Sequence, residues 1–140
     1  MTKITFDHST LQAMALFERI TRAHVKDAFM DEVQGRMVFI VLPGNIRKAL
    51  GPKGYNAKKL EKALNRKIKI VEFNPERLQF ISNMVLPLRL KGITEENDVI
   101  TLVGEDTKTK GLLIGRNAAN LRNLERNVRR YFKIEEIKVI

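Results

Sequence analysis

The sequence predicts an α+β protein of two small tandem domains, each a three-stranded sheet with helices packed on one face. Three observations carry that expectation. Gly51-Pro52-Lys53-Gly54 forms a Gly-x-x-Gly turn between two short helical patterns. The order helix, strand, strand, helix, turn, helix, strand is written twice along the chain. A shift of 64 positions lays Gly51 on Gly115, Asn56 on Asn120, Lys58 on Arg122 and Leu60-Glu61-Lys62 on Leu124-Glu125-Arg126. An internal repeat of that length outweighs any single motif. The chain has 140 residues, enough for one ordinary domain or two very small ones. Asn74-Pro75 is the candidate boundary, giving domains 1–74 and 75–140.

Each element follows from local pattern. Residues 1–6 alternate weakly and read as a short strand or an unsettled end. Asp7 or Ser9 can cap the first helix, and Ser9 with Gln12 fits a capping box. Ala13, Leu16, Phe17 and Ile20 give that helix a buried stripe as far as Thr21. Val25 to Met30 is extended, Asp31 to Gly35 has turn chemistry, and Arg36 to Leu42 reads as a strand paired in a hairpin with the stretch before it. Pro43-Gly44 ends that strand. A short helix Asn45–Leu50, the glycine turn, and a helix with Ala57, Leu60, Ala63 and Leu64 at helical spacing follow. The strand Lys67–Phe73 closes the first copy.

The second copy repeats the order. Pro75 is placed where a helix accepts its first proline, and Leu78, Ile81 and Val85 share one face of a helix from Glu76. Leu88 to Ile93 is extended, Thr94–Asn97 turns, and Asp98–Val103 is a strand. A short helix Thr107–Ile114 leads into Gly115-Arg116-Asn117-Ala118, which takes the place of the glycine turn. Ala119–Arg130 is helical, and Ile134–Ile140 alternates as a last strand.

The first turn has the chemistry of an anion site. Glycines leave no Cβ between backbone and a bulky anion. A helix starting near Asn56 points unpaired N–H groups and the positive end of its dipole at the same place. Pro52 has no N–H, so the expected donors are the amides of Lys53, Gly54 and Tyr55. Nine basic side chains lie between Arg47 and Lys69, Lys48, Lys53, Lys58, Lys59 and Lys62 among them, against the acids Glu61 and Glu72. The natural ligand for that combination is a phosphodiester backbone. Tyr55 directly follows the turn and can stack on a base; Phe73, at a strand end, reads as core.

Net charge agrees. The chain carries +10 at pH 7, with pI near 10.1, and excess positive charge speaks of nucleic acid or another anionic partner. Residues 1–74 hold 14 basic and 7 acidic side chains, a net +7, and residues 75–140 hold 12 and 9, a net +3. The first copy is therefore expected to hold a polyanion more strongly.

Several classes are disfavoured. Without cysteine there is no disulfide framework or thiolate metal site. His8 and His24 fit helix-end roles better than metal ligation, so no cofactor or metal is expected. No apolar run nears the about 20 residues of a membrane span, and Met1–Asp7 has no apolar signal core. A soluble, cytoplasmic protein is expected, without membrane or small-molecule substrate. An enzyme is disfavoured: there is no nucleophile with a plausible base, no complete phosphate-binding Walker motif and no convincing carboxylate cluster. Glu95-Glu96 and Glu105-Asp106 fall in polar turns.

The order of elements and the Gly-x-x-Gly turn resemble prokaryotic-type (type II) KH domains. The whole chain resembles the archaeal NusA-like transcription factors, which contain two such domains in tandem. The residues that carry the likeness include Ala15-Leu16-Phe17-Glu18, Ile20-Thr21, Leu50-Gly51, Lys53-Gly54, Asn56, Lys67-Ile68 and Val71-Glu72. In the second copy they are Lys110-Gly111-Leu112, Ile114-Gly115-Arg116-Asn117, Asn120 and Arg122. The resemblance implies single-stranded RNA as ligand, a part in transcription termination or elongation, and RNA polymerase as a further partner. It implies a first clamp of Gly51, Pro52, Lys53 and Gly54, and a second of Gly115, Arg116, Asn117 and Ala118. Ala118 stands where a glycine is usual; alanine resists positive φ and adds a methyl at the phosphate side, costing on the order of 1 kcal/mol. The second clamp is expected to be the weaker, though Arg116, Arg122, Arg126, Arg129 and Arg130 keep charge near it. The competing reading is a module whose basic face docks on polymerase or ribosome, or acts in ribosome assembly, with the loops serving only as turns.

Overall fold

The computed structural model describes residues 7–140, so the expectation for residues 1–6 lies outside the described part. The described residues divide into two compact units, one ending at Asn74 and the other beginning at Pro75. Each is an α+β unit with one three-stranded sheet.

In the first unit the order is α1 (His8–Thr21), β1 (Val25–Asp31), β2 (Arg36–Val41), α2 (Ile46–Leu50), α3 (Tyr55–Leu64) and β3 (Ile68–Glu72). Asp7 is the N-cap of α1: its carboxylate accepts from the Thr10 N–H at 2.7 Å, while the Ser9 hydroxyl donates to the same carboxylate at 3.0 Å. These bonds hold the Asp7 carboxyl below its ordinary pKa. β1 and β2 form the antiparallel hairpin, and β3 returns parallel to β2. Phe17 of α1 stacks on Phe39 of β2 with ring centroids 4.6 Å apart. Ala13, Met37, Val41, Ala49 and Leu60 close around them. Burying each large apolar side chain there contributes about 1.5–3 kcal/mol. Ala63 is exposed, so the inward stripe of α3 rests on Leu60 and Leu64.

The second unit repeats this with α4 (Arg77–Val85), β4 (Leu90–Glu96), β5 (Val99–Gly104), α5 (Thr107–Ile114), α6 (Ala119–Val128) and β6 (Glu136–Val139). β4–β5 is antiparallel and β5–β6 parallel. Phe80 packs edge-on against Tyr131, with Phe132 beside it. Pro75 does not start the helix; Glu76 is the N-cap and Arg77 the first helical residue. Arg77 instead bonds Glu95 at 2.6 Å, Asp98 at 3.0 Å and the Lys133 carbonyl at 2.8 Å, tying the helix start to the hairpin. The hairpin turn is tighter than the predicted Thr94–Asn97: β4 continues to Glu96, and Asn97 and Asp98 make the bend with φ of 52° and 64°. Two successive left-handed residues give the two-residue turn whose twist suits a hairpin, and Asn and Asp tolerate that region best.

The sheets differ on the side away from the helices. Every residue of β2 from Met37 to Val41 is buried, whereas β5 alternates between buried Ile100, Leu102 and Gly104 and half-buried Val99, Thr101 and Val103.

Candidate nucleic-acid interface

The glycine turn of the first unit is a short 3₁₀ segment, Pro52–Gly54, wedged between α2 and α3. Gly51 has φ 72° and ψ 176°, a conformation open only to glycine. A Cβ there would stand 2.9 Å from the Asn56 side chain. Asn56 is close because its Nδ2 donates to the Lys48 carbonyl at 3.0 Å, stapling the first turn of α3 to the end of α2. Lys53 (φ 52°) and Gly54 (φ 72°) are left-handed. Nothing lies within 4 Å of where a Cβ on Gly54 would point, so glycine is favoured there by its φ alone.

The expectation about donors is corrected in part. The Gly54 N–H donates to the Gly51 carbonyl at 3.2 Å, and the Tyr55 N–H to that of Pro52. Both are spent on holding the turn, because a 3₁₀ segment closes on its own amides. Of the three, only the Lys53 N–H makes no such bond within the loop.

Around this turn the basic side chains stay in solvent. Lys48 on α2, Lys53 at the loop tip, and Lys58, Lys59 and Lys62 on α3 are all exposed. None is in an ion pair among the described residues. Tyr55, Lys58, Lys59 and Lys62 fall at i, i+3, i+4 and i+7, one stripe of α3 spanning about 10 Å. Tyr55 itself is 61% exposed. Phe73 is half-buried, with the Lys26 ammonium 4.6 Å from its ring centroid. Lys69 stands apart from the exposed group: burial first, then Arg36, lowers its pKa to about 8, against the opposing pull of Asp31.

The second turn has the same backbone. Gly115 has φ 73° and ψ 176°, and a Cβ there would meet the Asn120 side chain at 2.6 Å. Asn120 donates to the Leu112 carbonyl at 2.9 Å, as Asn56 does to Lys48. Asn117 takes φ 54° and Ala118 φ 61°. Ala118 thus accepts the left-handed conformation that Gly54 takes freely, and its N–H donates to the Gly115 carbonyl at 3.2 Å. Arg116 is exposed, but Arg122 bonds Glu125 at 2.7 Å. That bond is the main reason its pKa is raised.

Two repeated acids lock each second helix to its strand. Glu61 Oε2 accepts from the Ile68 N–H at 3.1 Å, and Glu125 Oε2 from the Ile137 N–H at 2.8 Å. The asparagine staples and these glutamates were visible as matched positions in the 64-residue shift, but their roles were not, since each acts on a backbone group seven to twelve residues away. Among the described residues no three His, Asp or Glu side chains gather as a metal ion would need, and no helix is long and apolar enough to cross a membrane.

No family model matches the chain. Curated relatives do. A Halobacterium salinarum protein called "Probable transcription termination protein NusA" is 30% identical over 130 residues, spanning 91% of this chain and 92% of that protein. Proteins of the same name from Methanocaldococcus jannaschii and Halococcus morrhuae are each 27% identical. The match covers 100% of this chain and 77% of the first protein, and 98% of this chain and 99% of the second. A solved structure, described as the crystal structure of APE1850, aligns over 96% of this chain and 100% of its own with a TM-score of 0.74 at 22% identity. That likeness speaks for the fold alone.

Proposed function

The chain belongs to the family of archaeal NusA-like transcription termination proteins, and from that premise we propose that it binds single-stranded RNA through the turns of two type II KH domains, residues 1–74 and 75–140. The observation that carries this reading is the stapled glycine turn ringed by unpaired lysines. Gly54 leaves the backbone open to a phosphodiester, and Gly51 makes room for the Asn56 staple that fixes the turn. The Lys53 N–H and ammonium meet the phosphate, and Lys48, Lys58, Lys59 and Lys62 hold its neighbours. Tyr55 lies exposed at the turn, where an unstacked base can rest on its ring. The second turn, Gly115, Arg116, Asn117 and Ala118 with Arg122, offers the same backbone cradle with a methyl at its mouth and one cation already tied to Glu125. The first domain is the main grip.

The role is that of a transcription factor that engages the nascent transcript, with RNA polymerase as its protein partner; no catalytic step is assigned to it. Replacing Lys53 and Gly54 together by Asp reverses the loop charge and puts carboxylates at the phosphate position. Fluorescence anisotropy with a single-stranded RNA oligonucleotide is expected to show at least a tenfold loss of affinity, with circular dichroism unchanged. Affinity of the parent should fall steeply with salt as counterions are released. An unchanged affinity in a folded double variant would overturn the assignment.

A further inference from the structure

The two units part company where the first helix hands over to the first strand. In the first unit the C-cap Arg22 is followed by Ala23 and His24, and β1 then begins at Val25. Glu18, four residues before the cap, spans the corner: its Oε2 accepts from the Val25 N–H at 2.9 Å. In the second unit the C-cap Leu86 is followed by three residues, Pro87, Leu88 and Arg89, before β4 begins at Leu90. The residue four before the cap is Ser82. Its hydroxyl turns back to the Leu78 carbonyl at 3.0 Å, and Ser82 is too short to reach the first strand N–H as Glu18 does.

A longer connection and a shorter side chain leave an open cleft of about 400 Å³. Ser82, Leu86, Leu88 and Leu90 form its walls, with Leu86 half in solvent. Arg89 and Lys91 also line it, with Glu105 as the one acid of the lining. Neither cation is in an ion pair among the described residues. The bulge lysine of the first unit, Lys26, packs over the Phe73 ring, whereas Lys91 at the corresponding bulge lines the cleft. The cleft sits at the N-terminal end of α5 and the glycine turn at its C-terminal end. The eight residues of that helix, about 12 Å, separate them.

We propose that this cleft receives an acidic side chain flanked by apolar residues from a partner protein, its carboxylate taking the position that Glu18 fills in the first unit. The first unit shows that a carboxylate fits this corner of the fold and finds a backbone donor there. Arg89 and Lys91 supply the charge that an incoming acid needs, outnumbering Glu105. The leucine walls favour an apolar-acidic peptide over a phosphodiester, which would gain from the cations but not from the leucines.

The test uses the full chain, isotope-labelled, titrated in NMR with the acetylated and amidated peptide Leu-Glu-Leu-Leu-Glu-Leu and with its Gln-for-Glu counterpart. The expected result is shift changes confined to residues 82–91 and 105, with at least tenfold weaker binding of the Gln peptide. Arg89→Glu with Lys91→Glu should weaken the Glu peptide at least tenfold. Ser82→Glu should do the same by supplying the carboxylate from within, and should raise the melting temperature. Equal binding of the two peptides, no binding at millimolar peptide, or full binding to a folded Ser82→Glu chain would each overturn the proposal. So would a single-stranded RNA oligonucleotide that shifts these residues and loses its grip in the Arg89→Glu, Lys91→Glu chain.

Discussion

The two glycine turns share a backbone and differ in what they offer a ligand. Gly51 and Gly115 agree to within a degree in φ, Lys53 and Asn117 to within a few degrees, and each turn is stapled by an asparagine five residues past its first glycine. The shape therefore depends on three things that both copies keep: a glycine-only conformation, an amide that reaches the preceding helix, and N–H groups folded back on the turn. The chemistry at the mouth is free to diverge. In the first copy the tip is a lysine among unpaired lysines. In the second the tip is Asn117, the last position carries a methyl, and Arg122 is held by Glu125. The repeated turn thus keeps its backbone geometry while the side chains at its mouth differ.

The largest way to break that likeness is to put a Cβ on the first glycine. At Gly115 it would meet Asn120 at 2.6 Å and at Gly51 it would meet Asn56 at 2.9 Å, both in a region that side chains avoid. Gly115→Ala is expected to cost about 3 kcal/mol and Gly51→Ala about 2 kcal/mol, read from urea unfolding. Equal, negligible costs would show that the asparagine staple yields freely.

A second contrast separates the two third strands. Lys69 and Lys138 occupy matching positions: the residue just before each, Ile68 or Ile137, takes the N–H bond to Glu61 or Glu125. Lys69 is half-buried and Lys138 exposed. Burial holds Lys69 to about 8, below its ordinary 10.5. The folded chain then releases this proton before the unfolded chain does. The penalty for burying the cation is fully present below pH 8 and is relieved as pH rises from 8 to 10.5, because the unfolded state binds more protons across that window. Stability should gain on the order of 2 kcal/mol over that range. Lys69→Met should flatten the rise and Lys138→Met should leave it, as urea midpoints at successive pH values would record.

The smallest effect sharpens the comparison at the loop mouth. Gly54→Ala imposes on the first turn the strain that Ala118 already bears, and Ala118→Gly removes it from the second. The first is expected to lower stability by about 1 kcal/mol and the second to raise it by up to about 1 kcal/mol, by thermal unfolding. In RNA titrations, Ala118→Gly should improve affinity while Gly54→Ala weakens it, each by a few-fold.

The order of elements, the duplication and the uneven charge were legible in the chain itself, because periodicity, caps and turn residues act over a few positions. The helix over Thr107–Ile114 falls where local pattern places it, and the strand stretches and both turns do so with ends shifted by at most three residues. The exposure of the α3 lysines follows from the same periodicity, whereas that of Tyr55 is not fixed by its place after the turn. The start of α4, the bend between β4 and β5 and the amides of the glycine loop are not set by local pattern, for one reason: each depends on which partner a group finds. Arg77 finds the hairpin, Asn97 and Asp98 take the bend alone, and the Gly54 and Tyr55 amides fold back on the loop. Tertiary structure alone decided that Asn56 and Asn120 are staples, that Glu61 and Glu125 hold the strands that follow them, and that Glu18 reaches the first N–H of β1. Those outcomes rest on contacts between separate elements, whose distances exist only once the helices have packed on their sheets.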